Sequence, residues 1–144
     1  MKKLSTATML ALVLALLLGG TVAYAAFHWC PDDPKIRIGG QTITVLHGLD
    51  HPDPAAVVSG PVRVEVYVPK RADAEILETG TGWGHGEEVV IFEEKGLRNE
   101  VEVKVRIPTH GKSRFPVVVS VEGANDSAIC EGTSNAWVEC EVEL

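Results

Sequence analysis

Apolar and polar residues alternate with a period of two through much of the chain, most cleanly in residues 99–123. Val101, Val103, Val105 and Ile107 alternate with Glu102, Lys104 and Arg106. Val117, Val119 and Val121 alternate with Val118, Ser120 and Glu122. Side chains on a strand point to opposite faces, so each run predicts a strand with one apolar and one mostly wet face. Residues 108–114 join the two as a strand pair. Such a pair cannot bury its apolar face alone and needs a second sheet.

The pattern recurs elsewhere. Residues 36–38 and 42–46 read as strand pieces around a turn at Gly39-Gly40, and residues 62–68 place Val62, Val64, Val66 and Val68 on one face. Residues 74–78 form a weaker strand. Residues 89–92 are apolar on both faces. The last strand, residues 137–144, turns Val138, Cys140, Val142 and Leu144 inward and Glu139, Glu141 and Glu143 outward. Pro52, Pro54 and Pro61 make residues 47–61 a loop; residues 80–86 are glycine-rich, and residues 124–136 read as a loop. About seven short strands with no amphipathic helix predict an all-β fold, an antiparallel two-sheet immunoglobulin-like sandwich. On this strand pattern residues 36–144 resemble the immunoglobulin-like and fibronectin type III-like modules of secreted proteins, without the Cys…Trp…Cys spacing of antibody domains. The resemblance implies adhesion, spacing or recognition, although fold does not fix function.

The start of the chain has a different purpose. Lys2 and Lys3, an apolar run over residues 9–18, and small residues at Ala23 and Ala25 make residues 1–25 a secretory signal peptide. The apolar run is short for a membrane span, which needs about 20 residues. The expected organisation is a signal peptide (1–25), a Pro/Asp-rich lead-in (26–35) and the sandwich domain (36–144). Removing two lysines from 13 basic residues, against 20 acidic ones, leaves a net charge of −9. Such a chain is expected to be secreted or held at the cell surface, with no membrane span after cleavage. It makes a poor nucleic-acid binder, because phosphate contacts need clustered Lys and Arg. Gly19-Gly20-Thr21 followed by Ala25-Ala26-Phe27 resembles the signal junction of TasA-type biofilm fibre proteins. That resemblance implies a self-assembling subunit whose N-terminal segment adds a strand to its neighbour. Pro31 and Pro34 interrupt such a strand here. A sandwich offers open sheet edges for a protein partner or a second copy.

Three cysteines in an exported chain predict one disulfide and one remaining thiol. With the first strand running parallel to the last, Cys30 falls near the loop that carries Cys130, so Cys30–Cys130 is the favoured bridge and Cys130–Cys140 the alternative. Asn125-Asp126-Ser127 matches the N-glycosylation pattern and sits in the same loop.

Candidate sites are few. In residues 79–86 glycine takes every second position. If extended, this stretch projects Thr81, Trp83 and His85 from one edge, a surface suited to a sugar ring or a partner side chain. The competing reading is a loop whose Trp83 folds back to cap the sandwich. His47 and His51, with Asp50 and Asp53, are metal-capable types, but prolines oppose the helix that would align them, and a solvated loop is the simpler reading. His110, beside Gly111, reads as structural or exposed. Cleavage after Ala25 would start the mature chain Ala26-Phe27-His28. A free amine, two amides and an imidazole at position three can enclose Cu(II) in a square plane of nitrogens. Ser59, Ser113, Ser120, Ser127 and Ser134 lack a nucleophile-elbow context, and Cys30 has no base nearby in sequence beyond His28. Glu87 and Glu88 alone do not assign acid and base roles. The expectation is therefore a non-enzymatic structural or adhesive module, a self-assembling fibre subunit. The alternatives are a glycan- or protein-binding module built on Trp83 and His85, and a secreted copper-binding protein.

Overall fold

The computed structural model describes residues 27–144; the signal peptide expected over residues 1–25, and Ala26, lie outside the described residues. Ten strands follow in order: β1 (Phe27–Trp29), β2 (Lys35–Ile38), β3 (Gln41–Asp50), β4 (Val62–Pro69), β5 (Ala74–Glu78), β6 (Glu87–Glu94), β7 (Glu100–Arg106), β8 (Pro116–Glu122), β9 (Ser127–Thr133) and β10 (Trp137–Glu143). A short helix, α1 (Pro54–Val57), and a 3₁₀ turn (Gly82–Gly84) are the helical pieces among the described residues. The strands form two sheets. One runs β5-β2-β3-β8-β9, with β1 also paired to β3; the other runs β10-β7-β4-β6. The fold is an all-β sandwich. No helix among the described residues is long and apolar enough to cross a membrane.

The inward positions of β4, β7 and β10 are those the alternation predicts: Val62, Val64, Val66, Val68, Val101, Val103, Val105, Val138 and Val142 are all buried. They meet Ile36, Ile43, Val45, Leu49, Val117, Val119 and Val121 from the other sheet in one core. The burial of branched apolar side chains between two layers is what stabilises such a domain.

Several expectations change. The central stretch is not a hairpin pair. β7 bonds to β4 and β10, whereas β8 bonds to β3 and β9, so the connection crosses from one sheet to the other. Buried Thr109 and Ser134 tie that crossing down. The Asn135 side chain accepts from the Thr109 N–H at 2.8 Å and donates to the Thr109 hydroxyl at 2.9 Å. Next, β4 and β6 lie parallel, because β5 leaves for the opposite sheet between them; parallel neighbours require such a crossover. Finally, the Cys30–Cys130 bridge is not formed. Cys130 bonds Cys140 across a Cα separation of 5.7 Å, and Cys30 is a free, buried thiol. Residues 127–133, expected as loop, form β9, and its consecutive burial at Ala128, Ile129 and Cys130 hides the period of two. β9 is the edge strand that lies against β10, so the bridge joins the two sheets. Cys30 follows β1, which pairs with β3, two strands away from β9.

Candidate functional site

β3 is longer than predicted and carries the alternation past Leu46. Ile43, Val45, His47 and Leu49 share its inward face, and His47 is fully buried. In the opposite sheet Glu87 opens β6 on the same parity as Val89 and Ile91, which pack on the core. The two polar side chains meet across the sandwich, with His47 Nε2 2.7 Å from Glu87 Oε1 and both side chains wholly sealed from solvent. Cys30 joins them because its N–H donates to the His47 carbonyl at 2.9 Å, an extension of the β1–β3 ladder. One donor atom from each of Cys30, His47 and Glu87 lies within 4.8 Å of the other two.

The surroundings are polar and only partly satisfied. His47 Nδ1, Glu87 Oε2 and Asp33 Oδ1 are buried without a hydrogen-bond partner. Burial pushes the Asp33 carboxyl up to about 6; the His47 imidazole offsets part of this, and the Glu87 charge adds to it. Asp33 also accepts a hydrogen bond from the His47 backbone N–H. A polar cleft of about 390 Å³ lined by Pro31, Asp32, Asp33, Lys35, Thr44, Glu78 and Thr79 opens beside this carboxyl.

The glycine-rich segment closes the site and is not extended. Gly82, Trp83 and Gly84 all have positive φ, at 53°, 53° and 93°, which winds the segment into a tight turn. Glycine accepts that region freely, whereas Trp83 is a left-handed non-glycine residue held by its packing. Its ring lies edge-on to His47 with centroids 5.1 Å apart, and Thr81 Oγ1 is 3.8 Å from Cys30 Sγ. Thr81 and Trp83 thus turn toward the buried cluster, while His85 remains exposed. The row of Thr81, Trp83 and His85 along one edge is not formed. Gly80 is needed for another reason: a Cβ there would strike the Glu87 carboxylate and the Asp32 carbonyl.

The other predicted residues lie elsewhere. His51 is half-buried; its Nδ1 accepts from the Asp53 N–H at 3.0 Å and its ring meets Phe115. It does not share a site with His47, which belongs to a strand and not to a solvated loop. Asn125 is exposed between β8 and β9. Of the proposed N-terminal copper site, Ala26 lies outside the described residues, and Phe27 and His28 belong to β1. Hydrogen-bonded pairs alternate in an antiparallel ladder. The Cys30–His47 bond therefore makes His28 and Leu49 such a pair. Enclosing a copper ion would pull the His28 amide out of the sheet.

The missed residues, Cys30, Asp33 and Glu87, come together with His47 from three separate stretches. Parity marks His47 and Glu87 as inward, but nothing in the sequence says that they face each other. Compared with known protein families, with curated proteins and with solved structures, the chain matches none.

Proposed function

We propose that this chain is an exported, non-enzymatic β-sandwich module that works by association through a sheet edge, in a structural or adhesive role. One observation carries the reading. Among the described residues, four of the six exposed large apolar side chains, Ile76, Leu77, Val90 and Phe92, lie on β5 and β6. These are the edge strands of the two sheets on one side of the sandwich, and they contact each other. An edge strand presents unpaired N–H and C=O groups to any added strand. β6 couples that edge to an apolar centre, Val89 to Phe92, flanked by Glu88, Glu93 and Glu94. Tyr67 stacks on Phe92 at 5.1 Å and widens the apolar surface.

The signal segment supports export, and a disulfide suits an oxidising compartment. The flanking glutamates repel a second acidic edge, and salt screens that repulsion. Association between copies should therefore rise with protein and salt concentration. Light scattering on a sizing column and electron microscopy, both with chelator present, test this. Oligomers or filaments that vanish in Phe92→Glu support the reading. A species that stays monomeric across the whole range, and binds no surface glycan or protein, sinks it.

A further inference from the structure

We propose that Cys30, His47 and Glu87 form a buried binding site for one divalent transition-metal ion, with zinc the closest chemical match. This site is independent of the association surface on β5 and β6.

The first argument is the cost of the arrangement without an ion. Apart from Ala128 and the Cys130–Cys140 disulfide, the core is built of Val, Ile and Leu, yet one spot beside it holds a thiol, an imidazole and a carboxylate in mutual reach. The His47–Glu87 contact satisfies one nitrogen and one oxygen, and leaves His47 Nδ1 and Glu87 Oε2 buried and unpartnered. Each orphaned polar atom has given up its hydrogen bonds to water without replacement, which is destabilising. Apolar residues at these positions would avoid that cost. A cation held by one His47 nitrogen and by the Glu87 carboxylate compensates the buried carboxylate and its unpartnered oxygen, while the second imidazole nitrogen stays outside its reach.

The second argument is geometry. Zinc bonds of about 2.0–2.3 Å in a tetrahedron set neighbouring donors about 3.3–3.8 Å apart. The His47–Glu87 pair, at 2.7 Å, has to open slightly, and the widest separation in the cluster, at most 4.8 Å, has to close by about 1 Å. Three protein ligands leave a fourth position, the pattern of an open zinc site; Asp33 is not among the residues whose donor atoms lie within 4.8 Å of one another.

The third argument is donor chemistry. The sulfur disfavours Mg²⁺ and Ca²⁺, which take oxygen ligands. The carboxylate and imidazole suit Zn(II) better than Cu(I). Binding releases the Cys30 thiol proton to solvent and replaces the S–H bond by a sulfur–metal bond, with no change of oxidation state. Around the ligands, Thr81 and Trp83 act as positioning residues: one contacts the sulfur and the other packs on the imidazole.

The chain offers an unusually direct test, because Cys130 and Cys140 are already joined and Cys30 is its one thiol. Exported protein with the disulfide intact is titrated with Co(II) as a spectroscopic probe and with Zn(II) by calorimetry. The expected result is one equivalent of each, a sulfur-to-cobalt charge-transfer band with intense visible bands, and a higher melting temperature with zinc. Cys30→Ser should abolish the charge-transfer band, and Glu87→Gln should weaken zinc binding tenfold or more. His28→Ala should leave both unchanged. The wild-type cobalt spectrum decides the matter even if a core variant does not fold. No sulfur band from protein whose Cys30 is shown by mass to be an unmodified thiol overturns the site, as does stoichiometric zinc that Cys30→Ser retains in full.

Discussion

His47 Nε2 and Glu87 Oε1 lie 2.7 Å apart, forty residues distant in sequence and on opposite sheets, with both side chains sealed from water. Removing one member of a buried ionisable pair leaves the other uncompensated. In metal-free protein, Glu87→Ala is expected to cost about 3 kcal/mol. His47→Ala and Glu87→Ala together should cost less than the sum, with a coupling of about 1–3 kcal/mol. Urea unfolding of the four proteins in chelator closes the cycle.

Asp33 makes stability depend on pH. Its carboxyl, ordinarily near 3.8, is pushed up to about 6 by burial and by Glu87. Between those values the folded state holds a proton that the unfolded chain has released. Stability is therefore fully present below about 4 and falls as pH rises through about 6. Asp33→Asn should flatten this slope in metal-free protein and add on the order of 1 kcal/mol at neutral pH, after discounting for the partial exposure of Asp33. Thermal melts at several pH values with chelator check it; a slope that survives the substitution contradicts the assignment.

Gly80 is where the glycine-rich segment passes closest to the cluster. A methyl group there meets the Glu87 carboxylate and the Asp32 carbonyl, and the latter is backbone that cannot swing aside. Gly80→Ala is expected to cost about 1–3 kcal/mol and to weaken cobalt binding. Gly40→Ala, where a Cβ meets nothing within 4 Å, is the control and should leave cobalt binding untouched.

The Cys130–Cys140 bond closes a short loop, with a separation of 10 residues. The chain-entropy account gives such a closure about 3 kcal/mol. Selective reduction, or Cys130→Ser with Cys140→Ser, should lower the urea midpoint accordingly. The loss should appear chiefly as looser packing between β9 and β10, the edges that the bond joins. Hydrogen exchange localised to these strands is the readout.

Much of the sandwich is legible in the sequence. The period of two in β4, β7 and β10 fixes which residues turn inward, because alternation is a local property of extended backbone. Read one step further, the same parity marks His47 beside Val45 and Leu49, and Glu87 beside Val89, as inward polar residues. The proline-rich loop expectation stopped that reading at Leu46. What alternation cannot supply is partners. It gives a face but no neighbour, so it could not assign β7 and β8 to different sheets, place β4 and β6 in parallel, or choose Cys140 for Cys130. The cluster is the extreme case. Cys30 arrives by the β1–β3 ladder, His47 on β3 and Glu87 on the facing sheet, and the 3₁₀ turn folds Trp83 over them. Only the stacking of two layers brings those stretches together, because long-range packing depends on how sheets are ordered and not on any residue's local preference.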